Sequence, residues 1–243
     1  MIFPRLMLYL MRLDKFVCKS TELTKIEAIQ HIHFGEVSVN GDVTTDEMTQ
    51  VHENNTIMLN GVRLKTRDFR YILMHKPAET ICSNLDEAYP SLFNYLVVDK
   101  VSELHIAGRL DADTTGLVLI TDDGRWSFNI TSPTRQCCKV YRVGLSRALT
   151  IEQAESVTVR FKNGVQLQGE EGLTRPAKME VISSKEVLLT ITEGKFHQVK
   201  RMFSAVGNRV VLLHREQIGE VRLDVEVGQW RYLTEGEVLS FAQ

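Results

Sequence analysis

The sequence predicts an α+β fold in two parts: a small N-terminal domain of helices and a hairpin, and a larger domain of strands mixed with short helices. Two amphipathic helical patterns precede a hairpin signal within residues 11–61. Strand-like apolar runs are interspersed with short helical patterns over residues 69–243. Hydrophobic residues make up 43% of the 243, enough to fill a real core.

The opening MIFPRLMLYL is apolar but stops at Arg12-Leu13-Asp14-Lys15. Such a run is too short to span a bilayer and lacks the small-residue cleavage site of a signal peptide. Residues 1–10 read as an N-terminal extension, and Met11 is a second candidate for the natural start. Leu13, Phe16 and Val17 then fall at i, i+3 and i+4 of a short helix. Thr24 and Glu27 have capping-box spacing for a second helix, with Ile26, Ile29 and Ala28, Ile32 as apolar faces and Gly35 placed to end it. In EVSVNGDV, Val37 and Val39 alternate with polar residues, and Asn40-Gly41 is a strong hairpin signal. The small domain closes near Gly61, and the polar stretch VRLKTRD at 62–68 reads as a linker.

RYILMHKP is a strand that stops at Lys76-Pro77. GLVLIT, Gly116 to Thr121, is a continuous apolar run bounded by the Asp122-Asp123-Gly124 turn, with a helical pattern through Trp126 and Ile130 after it. KVYRVGL and EVLLTIT are further strands. Val199, Met202, Phe203 and Val206 mark the core face of a helix that Gly207-Asn208 can stop. Lys200 sits at the edge of that stripe, where its long side chain can reach a cleft.

Charge narrows the function. With a formal net charge of -2 the molecule has no strongly basic field, so any nucleic-acid binding must use local patches. Residues 193–215 are such a patch, with Lys195, Lys200, Arg201, Arg209 and Arg215 against the single acid Glu193. Residues 11–61 hold four basic residues, Arg12, Lys15, Lys19 and Lys25, against eight acidic ones. Phosphate contacts depend on Lys and Arg, so little autonomous RNA binding is expected of the small domain. Cys18, Cys82, Cys137 and Cys138 show no C-x-x-C spacing and read as buried thiols of a soluble, cytoplasmic protein. The histidines, His31, His33, His197 and His214 among them, lack zinc spacing, and no phosphate-cradling glycine loop or dinucleotide fingerprint occurs. No metal and no cofactor are expected.

GRLDADTTGLVLITDDG, Gly108 to Gly124, carries four aspartates. Asp122 and Asp123 precede Gly124 directly after a strand, which is ordinary turn chemistry. Asp111 and Asp113 lie in a polar loop before a buried strand, between Arg109 and Thr114-Thr115, where Gly108 and Gly116 let the backbone bend. By pattern alone, a carboxylate beside an arginine is more often a structural ion pair than a catalyst.

That stretch resembles the central motif of the pseudouridine synthases, in particular the family that modifies ribosomal RNA and carries an N-terminal alpha-L RNA-binding domain. The resemblance covers nearly the whole chain from Met11. MRLDKF and GEVSVNG are similar to the alpha-L domain, and HKPAETICS, His75 to Ser83, to the lysine-proline motif that opens the catalytic domain, with Ala78-Glu79 replacing the usual glycine-containing version. CKVYRVGL supplies Tyr141 where the family has an active-site aromatic, and EGKFHQVKRMFSAVGNRVVLLHRE, Glu193 to Glu216, resembles the third motif. The resemblance implies a catalytic domain over 69–243 with a mixed, mostly antiparallel sheet in two halves and Asp111 between them as the catalytic residue. It also implies supporting roles for Arg109, Tyr141 and Lys200. Arg12, Lys15, Lys76, Arg135, Lys139, Arg142, Lys195 and Arg201 are expected to meet RNA.

Pseudouridine formation breaks the bond between ribose C1' and uracil N1, turns the base and joins C1' to C5. Glycoside hydrolysis usually takes two carboxylates, whereas an isomerase that excludes water can manage with one. Asp111 can attack C1' or remove a ribose proton; both routes stay open, and both need an ionised aspartate, which a nearby cation favours. Tyr141 can stack against a flipped uracil. Within the family, Cys82-Ser83 and the run from His197 to Glu216 most resemble the member acting on 16S rRNA at uridine 516. The expected partner is then 16S rRNA or a small-subunit assembly particle, met by a monomer. A 23S rRNA synthase, a non-catalytic RNA-binding assembly factor and a nucleoside hydrolase are the alternatives.

Overall fold

The structure, a computed structural model, describes residues 10–52 and 54–242, so the expected extension falls, apart from Leu10, outside the described residues. The chain divides into two compact units, Met1–Asp68 and Phe69–Gln243.

The first unit runs β1 (Met11–Arg12), α1 (Leu13–Ser20), α2 (Lys25–His33), β2 (Val37–Val39), β3 (Asp42–Val43), β4 (Gln50–Val51), β5 (Ile57–Leu59) and β6 (Val62–Arg63). Leu13, Phe16 and Val17 of α1 pack on Ala28 and Ile32 of α2, with Val37, Val51 and Ile57 beneath them. Ile26, expected on an apolar face, is instead exposed, because Ala28 and Ile32 alone turn toward α1. Thr24 and Glu27 close the capping box of α2. Asn40-Gly41, both at positive φ, turns β2 into β3 with Val39 opposite Asp42.

Asn60-Gly61 repeats that device between β5 and β6, which corrects the linker. Val62–Arg63 is an edge strand, the Leu64 N–H donates to the Ile57 carbonyl, and the Arg67 N–H donates to the Lys19 carbonyl. The unit therefore extends to Asp68. Arg63, Lys65 and Arg67 join it, giving seven basic against nine acidic residues over 11–68, a smaller imbalance than over 11–61.

The second unit contains β7 (Tyr71–Lys76), β8 (His105–Ala107), β9 (Thr115–Thr121), α3 (Gly124–Thr131), β10 (Lys139–Leu145), α4 (Ile151–Asn163) and β11 (Lys178–Ser183). It continues with β12 (Glu186–Ile191), α5 (Gln198–Ala205), β13 (Val210–Ile218), β14 (Val221–Arg222), β15 (Trp230–Tyr232) and α6 (Glu235–Leu239). The sheet order is β11-β12-β10-β13-β9-β7-β15, with β14 on β13 and β8 on β9. Among the described strands, only β13 and β9 pair in parallel, through His214 opposite Thr115 and Arg215 opposite Gly116. This short seam joins the two halves of a mixed, mostly antiparallel sheet.

Strand β9 is buried on both faces, which explains its unbroken apolar run. Leu117 and Leu119 pack with Trp126, Ile130 and Phe241 on one side. Val118 and Ile120 join Ile72, Met74, Tyr141 and Val143 on the other, in the cluster that also takes Val199, Met202 and Phe203 of α5. Asp122 accepts from the Arg70 backbone and side chain, and Asp123 caps α3, so both are structural. The cysteines are free; Cys138 is exposed, in the turn before β10, and Cys18, Cys82 and Cys137 are half-buried against the edges of the core clusters. Among the described residues no helix is long and apolar enough to cross a membrane.

Gly116 sits at the seam with φ +108°, and a Cβ there would lie 2.3 Å from the Arg215 carbonyl oxygen. Gly116→Ala should therefore cost roughly 2–4 kcal/mol through strain and a forced separation of the strands. Differential scanning calorimetry checks this: an unchanged melting temperature would mean that the seam does not close as tightly as described.

Candidate active site

The loop from Gly108 to Thr114 carries Asp111 into β9, and two buried cations hold it by its carbonyls. Lys76, the last residue of β7, is fully buried. Its ammonium donates to the carbonyls of Pro77 at 3.0 Å, Ala112 at 3.1 Å and Thr114 at 2.8 Å. Burial pushes its pKa below the usual lysine value, against the pull of Cys82, Asp113 and Asp111. Arg215 of β13 is 1% exposed. Its Nε donates to the Leu117 carbonyl at 2.7 Å, and its terminal nitrogens donate to the Gly108 carbonyl at 2.7 Å and the Tyr141 hydroxyl at 3.3 Å. The loop is pinned further where the Thr114 N–H donates to the Asp111 carbonyl and the Glu79 N–H to the Ala112 carbonyl. Glu79, part of the Ala78-Glu79 departure, has φ +58°, a conformation that favours glycine.

The Asp111 carboxylate is partly open to solvent and meets the start of α5. Lys200 Nζ stands 2.9 Å from its Oδ2, and His197 Nε2 stands 3.3 Å from its Oδ1. Lys200 also bonds Asp113 Oδ1 at 2.6 Å. Burial alone would lower the Lys200 pKa, but the hydrogen bonds to Asp113 and Asp111 outweigh it and raise the value. The same Lys200 hydrogen bond holds Asp113 below the usual aspartate value. His197, at the N-cap of α5, has φ +47°. One half of the sheet thus supplies the carboxylate, and the helix packed on the other half supplies its partners.

Tyr141 is buried, its ring 5.9 Å from the Arg215 guanidinium carbon. Arg109 is exposed and has no ion pair among the described residues, so the cation beside Asp111 is Lys200. Several residues expected to meet RNA are engaged elsewhere. Lys76 braces the loop, and Lys139, also buried, donates to the carbonyls of Ile130 and Cys137, so neither reaches a phosphate. Arg142 is paired with Glu186 and Glu216, Lys195 and Arg201 share Glu170, and Arg12 is paired with the buried Asp14. Lys15 and Arg135 are exposed. Arg215 and His197 were not expected in the site. The signal for Arg215 is its place two residues after Leu213, an inward position of an apolar strand. Among the described residues no group of three or more His, Cys, Asp or Glu side chains is placed to hold a metal ion.

Residues 70–205, which include Asp111, Tyr141 and Lys200, match the family described as RNA pseudouridylate synthase. The chain belongs to this family and is an isomerase acting on RNA. It is 48% identical over 232 residues to ribosomal small subunit pseudouridine synthase A of Vibrio cholerae, covering 95% of this chain and 99% of that one. It is 43% identical over 233 residues to the Escherichia coli protein of the same name, again covering 95% and 99%. A crystal structure of a pseudouridylate synthase superimposes with a TM-score of 0.67 at 40% identity, over 95% of this chain and 99% of that one.

The depressed Asp113 pKa has a definite sign in stability. The Lys200 contact favours the folded state above the ordinary aspartate value of about 3.9, and that contribution is lost as the pH falls through the lower folded value. In Lys200→Met, Asp113 should titrate near its ordinary value by carbon-13 NMR of the carboxyl group. An Asp113 titration unchanged by the substitution would refute the pairing.

Proposed function

We propose that the chain converts one uridine of 16S ribosomal RNA, uridine 516, to pseudouridine, with Asp111 as the catalytic residue. The observation that carries this reading is the partly open Asp111 carboxylate at the junction of the two half-sheets, held by Lys200 on one oxygen, with the His197 imidazole 3.3 Å from the other. The target is supported by near full-length similarity to proteins named for the small ribosomal subunit.

The target uridine must leave its stack before C1' can approach a side chain. Its ribose then meets Asp111, which either attacks C1' or removes a ribose proton. The N1–C1' bond breaks while the uracil stays bound, the base turns, and C5 bonds to C1' as Asp111 leaves C1' or returns the ribose proton; the proton lost from C5 is balanced by one taken up at N1, so the product is an isomer. The Lys200 hydrogen bond keeps the carboxylate in place, so little reorganisation accompanies the reaction. Tyr141 and Arg215 lie buried behind the loop that carries Asp111. The exposed cations Arg109, Lys15 and Arg135 are available to phosphates, which supply most of the affinity of such complexes.

In cells lacking their own enzyme, this chain should restore a carbodiimide-dependent primer-extension stop at uridine 516 of 16S rRNA. Asp111→Asn should fold normally and lose at least about a thousandfold in rate. A stop in 23S rRNA would keep the chemistry and overturn the target. No stop in either RNA, from a folded protein, would overturn the activity itself.

A further inference from the structure

Phe196 is 75% exposed, although burying a phenylalanine is among the larger apolar gains available to a fold. Its position is built. One face of its ring stacks on the His197 imidazole, with centroids 3.8 Å apart and planes 21° apart. The same imidazole stands 3.3 Å from Asp111 Oδ1. The backbone that presents the ring is fixed from both sides. Arg201 donates to the Phe196 carbonyl at 3.0 Å and is itself held by Glu170. Gln198, 4% exposed, donates to the buried Glu193 at 2.7 Å and accepts from the Lys195 N–H at 2.9 Å. His197 takes the left-handed conformation, φ +47°, that turns the two rings together. Backbone conformations of this kind persist in non-glycine residues where the surrounding structure imposes them, often at binding and catalytic sites.

We propose that the outer face of Phe196 is a stacking shelf for the nucleobase next to the target uridine. The inference rests on the pseudouridine reading above and adds to it a residue that positions the RNA. The imidazole touches the reacting carboxylate, and Phe196 lies one ring layer further out. A base on the outer face of Phe196 therefore lies two layers from the imidazole, within reach of the nucleotide adjoining a flipped uridine. An exposed aromatic face suits any base, because every base has a π-face, and such stacking is among the sequence-tolerant contributions to single-strand binding. Phe196 touches neither Asp111 nor the ribose, so its role is positioning.

The test compares the unaltered chain with Phe196→Ala, Phe196→Leu and Phe196→Trp on small-subunit particles isolated from cells lacking their own synthase. The Ala and Leu variants should raise KM about tenfold or more, with the loss falling on KM rather than kcat. The Trp variant should restore KM, since it keeps a flat face, whereas Leu keeps only the apolar bulk. Melting temperatures should match across the set because the ring is exposed. A KM within about twofold of the unaltered value for both Ala and Leu would overturn the shelf. So would a loss confined to kcat, which would place Phe196 behind His197 as a support for Asp111. If the unaltered chain forms no pseudouridine in 16S or 23S rRNA, the reading beneath the inference fails with it, an outcome distinct from an active chain that is indifferent to Phe196.

Discussion

The buried guanidinium of Arg215 is the contact on which the rest of the site depends. A charge removed from water must be hydrogen-bonded to remain, and this one is bonded at Leu117, Gly108 and Tyr141. It projects from β13 but bonds carbonyls carried by the other half of the sheet, so it clamps the parallel seam as well as the loop beside it. Lys76 repeats the arrangement from β7, on carbonyls at the far side of Asp111. Carbonyl dipoles satisfy these cations without cancelling their charge. The floor of the site therefore stays positive beneath a loop that carries two carboxylates and must receive an anionic polymer.

Above that floor, charged side chains answer one another in threes. Lys200 answers Asp111 and Asp113 together, while Glu170 takes both Lys195 and Arg201. The basic patch read over residues 193–215 is thus spent largely on internal order. It positions the loop that carries Phe196 and His197. The cations left to meet phosphates are fewer and more scattered than the composition implies, with Arg109 in the loop and Arg135 before β10.

What was legible in the sequence was local. The Thr24–Glu27 capping box, the Asn40-Gly41 turn and the buried stripe of α5 each depend on residues within a few positions of one another. Asn60-Gly61 carried the same turn signal, and taking Gly61 as a domain end hid the strand after it. The roles of Lys76, Lys139 and Arg215 depend on something else. A buried cation on backbone carbonyls has partners of no particular residue type; those of Arg215 lie 98 and 107 residues away. Only the inward register of each residue on an apolar strand hints that it is core. Asp111 and Lys200 were singled out because their motifs resemble a known family; composition and spacing would have left Asp111 as one carboxylate in a turn.

On this reading Arg215 acts on the protein's own backbone rather than on RNA. Arg215→Lys keeps the charge but loses the planar fork that reaches three partners at once. Measured on particles in single-turnover and equilibrium-binding experiments, a folded Arg215→Lys protein should lose at least about a hundredfold in the rate of pseudouridine formation while binding RNA with unchanged affinity and salt dependence. A weakened affinity with a shallower salt dependence and an unchanged rate would instead make Arg215 a phosphate contact.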